Sequence, residues 1–273
     1  MNYSNKFTKT ISVTSGKGGV GKTSFVCNVA AYLAGQGHHV LILDGDLGMA
    51  NVDVFFGVRP HVYIDQVLRG EKLLEEAVFS IEPNIDLIPG GSGIYELQNI
   101  NYFQKKLLLD QVSQLENKYD YMLIDTAPGI ADNVLYLNTA VQEIMVILTP
   151  DPSSLTDAYA LIKVLHERHK ENKFSIVCNL VHDEYEALKI YKRLSDVCSK
   201  FLCVSLDYQG YIPLDQKLRE ATKQQQLIVD INPRSPSSIA FRNIVGKINN
   251  HGHLAQPKGG MQFFFEQMIK TAC

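Results

Sequence analysis

Residues Gly16 to Thr23 read GKGGVGKT, and this octet constrains the fold more than any other part of the 273-residue chain. It satisfies the pattern G-x-x-x-x-G-K-[ST] of a loop that cradles phosphates. Glycines at Gly16, Gly18, Gly19 and Gly21 let backbone N–H groups turn inward without Cβ clashes, and Val20 adds its own amide. The loop works only between a strand and a helix, because the helix N-terminus brings further N–H donors and a positive dipole end. Both neighbours are present: a β-branched run over 11–14 and an apolar-periodic stretch through Ala34. Lys22 then neutralises the β and γ phosphates, the Thr23 hydroxyl is placed to ligate Mg²⁺, and Ser24 completes the binding set in the first helical turn.

A strand–loop–helix start implies a sheet whose strands continue in the same way. Short apolar runs recur at 40–43, 85–88, 121–124, 144–148, 175–177 and 204–206. Helical patterns lie between most of them, notably over 102–117, 153–170, 184–200 and 214–224. Alternating strands and helices predict an α/β fold: a mainly parallel, twisted sheet with helices on both faces. Residues 1–249 read as a single domain. The stretch 250–260 is turn-rich and aperiodic and reads as a linker, with 261–273 as a separate amphipathic helix.

Composition limits the partners. The net charge is −3, with 45% hydrophobic and 20% charged residues, so nothing global favours nucleic acid, and DNA is not an expected partner. Lys189, Lys192, Arg193 and Lys200 share one helical region that reads as a solvated face. Five cysteines, Cys27, Cys178, Cys198, Cys203 and Cys273, form no CxxC pair and suit a reduced compartment. MNYSNKF lacks an apolar core for a signal peptide, and no apolar run reaches the ~18 residues of a spanning helix. His166 and His169 stand at i, i+3 without a third ligand, and His251 and His253 lie in the linker.

Carboxylates follow the strands where a parallel sheet binds its ligands. Asp44 and Asp46 close the second strand in LILDGDLGMANVD, and Asp125 closes YMLID. A single aspartate suffices for Mg²⁺, which keeps waters and phosphate as its other ligands.

The loop, with Lys17 at its second position, resembles the deviant Walker A motif of the MinD/ParA/Get3 class of ATPases. That resemblance implies ATP/ADP and Mg²⁺ as ligands and a homodimer when ATP is bound. Lys17 then reaches across the dimer to the partner's ATP. Asp46, in switch I, orients the attacking water and stands near the metal with Thr23. Asp44 supports the Mg²⁺ shell, Asn51 is the switch I asparagine, and Asp125 holds Mg²⁺ through water. Residues 126–129 become switch II, with Gly129 near the γ-phosphate. Asn179 reads the adenine edge, and Pro213 and Asp215 close over the base.

Three stretches, LDGDLGMANVDVFFG, DLIPGGSG and LTPDPSSLTDAYALIKVL, resemble the flagellar subgroup known as FlhG or FleN. In the last, Ser153 to Thr156 are expected to cap a helix whose buried face carries Tyr159, Ile162 and Leu165. The subgroup implies control of flagellar number or placement. It also implies partners among flagellar assembly proteins: a switch-complex (C-ring) component, the FlhF GTPase and a flagellar transcription activator. The N-terminal motif that activates the GTPase in many members is not seen ahead of the first strand. Division-site MinD and a partitioning ParA are the alternatives. An iron–sulphur carrier on the same fold needs cysteines at a dimer axis or a C-terminal CxxC, which these spacings do not offer.

In the last segment, Met261, Phe264, Phe265, Met268 and Ile269 fall within an arc of about 140° on a helix, with Phe263 outside it. Ten residues are too few to hold a helix in water, so the segment must dock. A reversible anchor on the inner face of the cytoplasmic membrane is expected, and a last helix packed on the core is the alternative.

Overall fold

The computed structural model describes residues 8–46, 52–90, 102–116, 118–250 and 260–270. Asn51, Gly91 to Gly93, His251, His253, Cys273 and nearly all of the expected linker lie outside them. The chain opens with β1 (Lys9–Thr14), α1 (Lys22–Gly35), β2 (Val40–Gly45), α2 (Val52–Phe56), α3 (Ile64–Leu68) and α4 (Leu74–Ala77). It continues through β3 (Phe79–Glu82), β4 (Ile85–Ile88), α5 (Tyr102–Glu116), β5 (Tyr121–Thr126), α6 (Asp132–Thr139) and β6 (Glu143–Leu148). Then come α7 (Pro152–His169), β7 (Lys173–Val181), α8 (Glu184–Phe201), β8 (Ser205–Pro213), α9 (Gln216–Lys223), α10 (Ile228–Ile231), α11 (Pro236–Asn250) and α12 (Met261–Lys270).

Eight strands form one sheet in the order β3-β4-β2-β5-β1-β6-β7-β8. Every pairing is parallel except β3 with β4, an edge hairpin that the sequence pattern does not announce. The chain moves outward from β1 to β2 and β4, then returns through β5 and crosses to β6. The carboxyl end of β1 is therefore a topological switch point, where the crossing connections leave a crevice for a ligand.

Two apolar layers cover the sheet. On one face α1, α10 and α11 pack on Ile11, Val13, Val40, Ile42, Leu123 and Ile147. On the other, α5, α6, α7 and α8 pack on Leu41, Met122, Val146 and Ile176. The central strand β1 departs from the apolar rule for a doubly buried strand. Its second face carries Thr10, Ser12 and Thr14, all fully buried. Each finds a partner: Ser12 donates to Asn138 Oδ1 at 2.7 Å, Thr14 accepts from Asn138 Nδ2 at 3.3 Å, and Thr10 accepts the Gln142 N–H at 3.0 Å. Burial without such partners would cost ~1–3 kcal/mol per group.

The helix over 152–169 is capped by Asp151, not by Ser153 to Thr156. Asp151 accepts the Ser153 N–H at 2.9 Å and Pro152 takes the first helical position, where its missing N–H costs nothing. Ile162 and Leu165 are buried as expected and Tyr159 is half-buried against them.

The last helix is docked. Met261, Phe264, Phe265, Met268 and Ile269 are all buried, and α12 packs on α5, α6 and β1 as part of the second layer. The expected apolar face is thus correct, and in this structure its occupant is the protein's own core. Phe265→Ala is expected to lower the unfolding free energy by about 3 kcal/mol, the low end for a buried phenylalanine. Half-buried Phe263→Ala is expected to cost well under half of that. Urea denaturation of both variants checks the docking, since a helix free in solution would leave the two indistinguishable.

Candidate functional site

The P-loop runs from β1 into α1 at the switch point. Two of its glycines are required by close approach. A Cβ on Gly16 would stand 2.2 Å from the backbone carbon of Asp157 in α7, so the loop and that helix touch backbone to backbone. Gly21 takes φ 92° at the N-cap of α1, a left-handed conformation that residues with a Cβ avoid.

Lys22, the first residue of α1, is only 8% exposed, and burial lowers its pKa while Asp125 and Asp46 pull the other way. Its Nζ donates to Ser15 Oγ at 3.1 Å, and Ser15 Oγ in turn donates to the Lys17 carbonyl at 2.7 Å. Ser15 therefore holds both ends of the loop, a role its position just outside the motif does not advertise.

Asp125 closes β5 and is 2% exposed. Thr23 Oγ1 donates to its Oδ2 at 2.6 Å, which brings two of the three expected metal-site residues together. Burial pushes the Asp125 carboxyl up to about 7, against the downward pull of Thr23, and the Asp44 charge adds to the rise. Its second oxygen, Oδ1, is buried without a hydrogen-bond partner, as is the neighbouring Ser24 hydroxyl. A buried carboxylate with one unpaired oxygen beside a threonine hydroxyl is a donor set suited to Mg²⁺. Lys22 and the inward loop amides suit the phosphates.

Asp44 and Asp46 differ in role. Asp44 is 1% exposed, and its two oxygens accept the N–H groups of Asp46 at 3.1 Å and Val52 at 3.2 Å. It shapes the backbone at the start of the expected switch I. Asp46 is half-buried, close enough for its charge to act on both Lys22 and Asp125. On the opposite side, switch II is tied to β1: Thr126 Oγ1 donates to the Val13 carbonyl at 3.1 Å and the Gly129 N–H to the Ser15 carbonyl at 2.9 Å.

Lys17 and Lys22 have different partners. Lys17 pairs with Asp151 and donates to Ser153 Oγ at 2.8 Å, both at the start of α7 of the same chain. The pairing holds the Asp151 carboxyl at about 2. A cavity of about 370 Å³ lies beside it, lined by Gly18, Gly19, Thr149, Asp151 and His182 among others.

The expected adenine contacts occupy different positions. Asn179 is buried against the P-loop, with Nδ2 2.8 Å from the Val20 carbonyl. Pro213 ends β8 beside Val181. Asp215 caps α9, accepting the Lys217 N–H at 2.9 Å and the Ser237 N–H at 3.3 Å, so both of its oxygens serve the fold. His166 Nδ1 lies 2.8 Å from Asn172 Oδ1, a surface contact. Burial raises the thiols of Cys27, Cys178 and Cys198, which leaves them inert.

A glycine loop at a switch point, a buried lysine, and a threonine in the first turn of α1 bonded to an aspartate at the end of β5 define a P-loop nucleoside triphosphatase. The chain belongs to the ParA family: that family's profile, described as "NUBPL iron-transfer P-loop NTPase", matches residues 6–249. It is 35% identical over 260 residues to the antiactivator FleN of Pseudomonas aeruginosa, covering 95% of this chain and 93% of that protein. It is also 35% identical over 270 residues to the flagellum site-determining protein YlxH of Helicobacter pylori, covering 96% and 90%. The septum site-determining protein MinD of Pyrococcus horikoshii, solved complexed with Mg-ADP, superposes with a TM-score of 0.68 at 26% identity, covering 90% of this chain and 98% of that one. The reaction is ATP hydrolysis, with Mg²⁺ as cofactor. Lys22→Ala removes the main phosphate charge and is expected to reduce ATP affinity by at least about a hundredfold, an ionic hydrogen-bonded contact being worth ~2–3 kcal/mol or more. Calorimetry with ATP and Mg²⁺ measures it, and an unchanged affinity would place the nucleotide elsewhere.

Proposed function

We propose that this chain is an ATP-gated dimerising switch that controls flagellar number or placement and associates reversibly with the membrane. The observation that carries the flagellar reading is the pair of relatives, FleN and YlxH, each 35% identical along almost the whole chain. The word antiactivator in the first name supports a flagellar transcription activator among the partners. A switch-complex component and the FlhF GTPase complete the proposed set. A division-site role remains the second reading, supported by the fold shared with MinD.

The site supports a slow switch rather than a fast enzyme. Mg²⁺, when bound, neutralises charge on the β and γ phosphates. Thr23 and Asp125 would hold the metal, and Asp46 would orient the attacking water. Asn179 and the segment from Pro213 to Asp215 form the proposed wall of the base pocket. Beyond positioning and charge the free chain offers little to the transition state, so turnover waits on a partner. Lys17 supplies the missing charge to the ATP of a second copy once it leaves Asp151 and Ser153.

Helix α12 is the proposed membrane contact. No helix among the described residues is long and apolar enough to cross a bilayer. Phe264 and Phe265 can each contribute ~1.5–3 kcal/mol on burial, whether in the core or between acyl chains, before ordering costs. A bilayer therefore offers these side chains the same kind of apolar burial that the core does. ATP-driven dimerisation would present two such helices, and two weak anchors bind much better than one.

Asp46→Ala is expected to retain ATP and accumulate as a dimer with ATP and Mg²⁺ in size-exclusion runs, while Lys17→Ala stays monomeric. A monomeric Asp46→Ala protein at saturating ATP contradicts the switch. Deleting residues 257–273 is expected to abolish ATP-dependent sedimentation with liposomes; the result is read on truncated protein shown by calorimetry to bind ATP still, and such a protein that still pellets puts the anchor elsewhere. The flagellar reading itself is tested by a deletion strain: altered flagellar number supports it, and displaced septa with normal flagella support the division-site reading.

A further inference from the structure

Asn179 stands at the end of β7, 4% exposed, with its amide pressed against the P-loop. Nδ2 donates to the Val20 carbonyl at 2.8 Å, and Oδ1 accepts the Leu180 N–H at 2.9 Å. The approach is so close that a Cβ on Gly21 would stand 2.5 Å from Nδ2. The backbone beyond is distorted to permit it. Leu180 takes φ 60°, a left-handed conformation unusual for a residue with a Cβ, and the register between β7 and β8 shifts between Asn179 and Val181.

The bonded carbonyl belongs to the peptide that joins Val20 to Gly21. A peptide unit is planar and trans, so its carbonyl and its N–H point in opposite directions. Holding the Val20 carbonyl against Asn179 turns the Gly21 N–H to the other side of the loop. Gly21, at φ 92°, has no Cβ to resist a flip of this unit, so the loop's own residues do not fix it.

We propose that Asn179 is a positioning residue for the phosphates: it pins the Val20–Gly21 peptide so that the Gly21 N–H faces the phosphate cradle, whichever base the nucleotide carries. This rests on the nucleotide site described above and is separate from any contact with adenine. A base-reading residue acts only on ligands that have a base, whereas a loop-pinning residue also acts on bare polyphosphate.

The experiment measures binding of ATP and of inorganic tripolyphosphate, each with Mg²⁺, to the full-length chain and to Asn179→Ala. Amide hydrogen exchange of the ligand-free proteins is followed in parallel. Asn179→Ala is expected to weaken tripolyphosphate about tenfold and ATP at least as much, with faster exchange confined to residues 16–22. Asn179→Asp keeps the acceptor for Leu180 but cannot donate to Val20, and it is expected to show the same local gain in exchange if the alanine variant fails to fold. Loss of ATP affinity with tripolyphosphate unchanged would assign Asn179 to the base alone and overturn the proposal. Unchanged affinity for both ligands overturns it as well, as does faster exchange spread across the whole sheet. If Lys22→Ala leaves wild-type affinity for both ligands, it is the site itself that fails rather than the role of Asn179.

Discussion

Lys22 and Asp125 are both buried at the end of one sheet, and neither has its charge fully answered by the protein. Most of the surrounding architecture follows from that. An ammonium in a dry site needs an anion, and a carboxylate with a free oxygen needs a cation; nucleotide phosphates with Mg²⁺ supply both. The site stores this need without unfolding because the strands around it are pinned. Ser15 clamps the loop, Thr23 bridges to Asp125, and the hydroxyl face of β1 is bonded into α6 and the segment after it. Ligand binding is then coupled to whatever moves when those charges are met.

Two elements are the proposed moving parts. Switch I is shaped by Asp44 through its backbone amides, and switch II is tied to β1 through Thr126 and Gly129. The second of these lies directly ahead of α6, and α6 is part of the seat of α12. A shift proposed at switch II would therefore have a short mechanical route to the last helix. That route is contiguous packing between adjacent elements.

Much of the site was legible in the sequence because its chemistry demands particular residue types at fixed spacing. Gly16 to Thr23 and the aspartates at strand ends declare themselves in this way, and the strands around them follow from short apolar runs. The rest depends on what the fold brings together. Ser15 carries no motif, yet it clamps the loop, and nothing in the stretch that holds Asp157 says that its backbone is what Gly16 rests on. Asp44 and Asp215, which read as ligand-side carboxylates in sequence, also organise backbone in space by accepting N–H groups, a role the sequence does not show. The polar face of β1 is invisible to a rule that expects buried parallel strands to be apolar, because its partners lie more than a hundred residues away. Amphipathicity identified the buried side of α12 correctly. It could not choose between core and membrane, since both present the same apolar environment to Phe264 and Phe265.

The central claim is that the nucleotide decides where α12 resides. Amide hydrogen exchange of residues 261–270 in the full-length Asp46→Ala protein, compared between saturating ADP and saturating ATP with Mg²⁺, measures it directly. The account predicts protection of these amides with ADP and its loss with ATP in the absence of membrane. Equal protection in both nucleotide states would contradict it and make α12 a permanent part of the core.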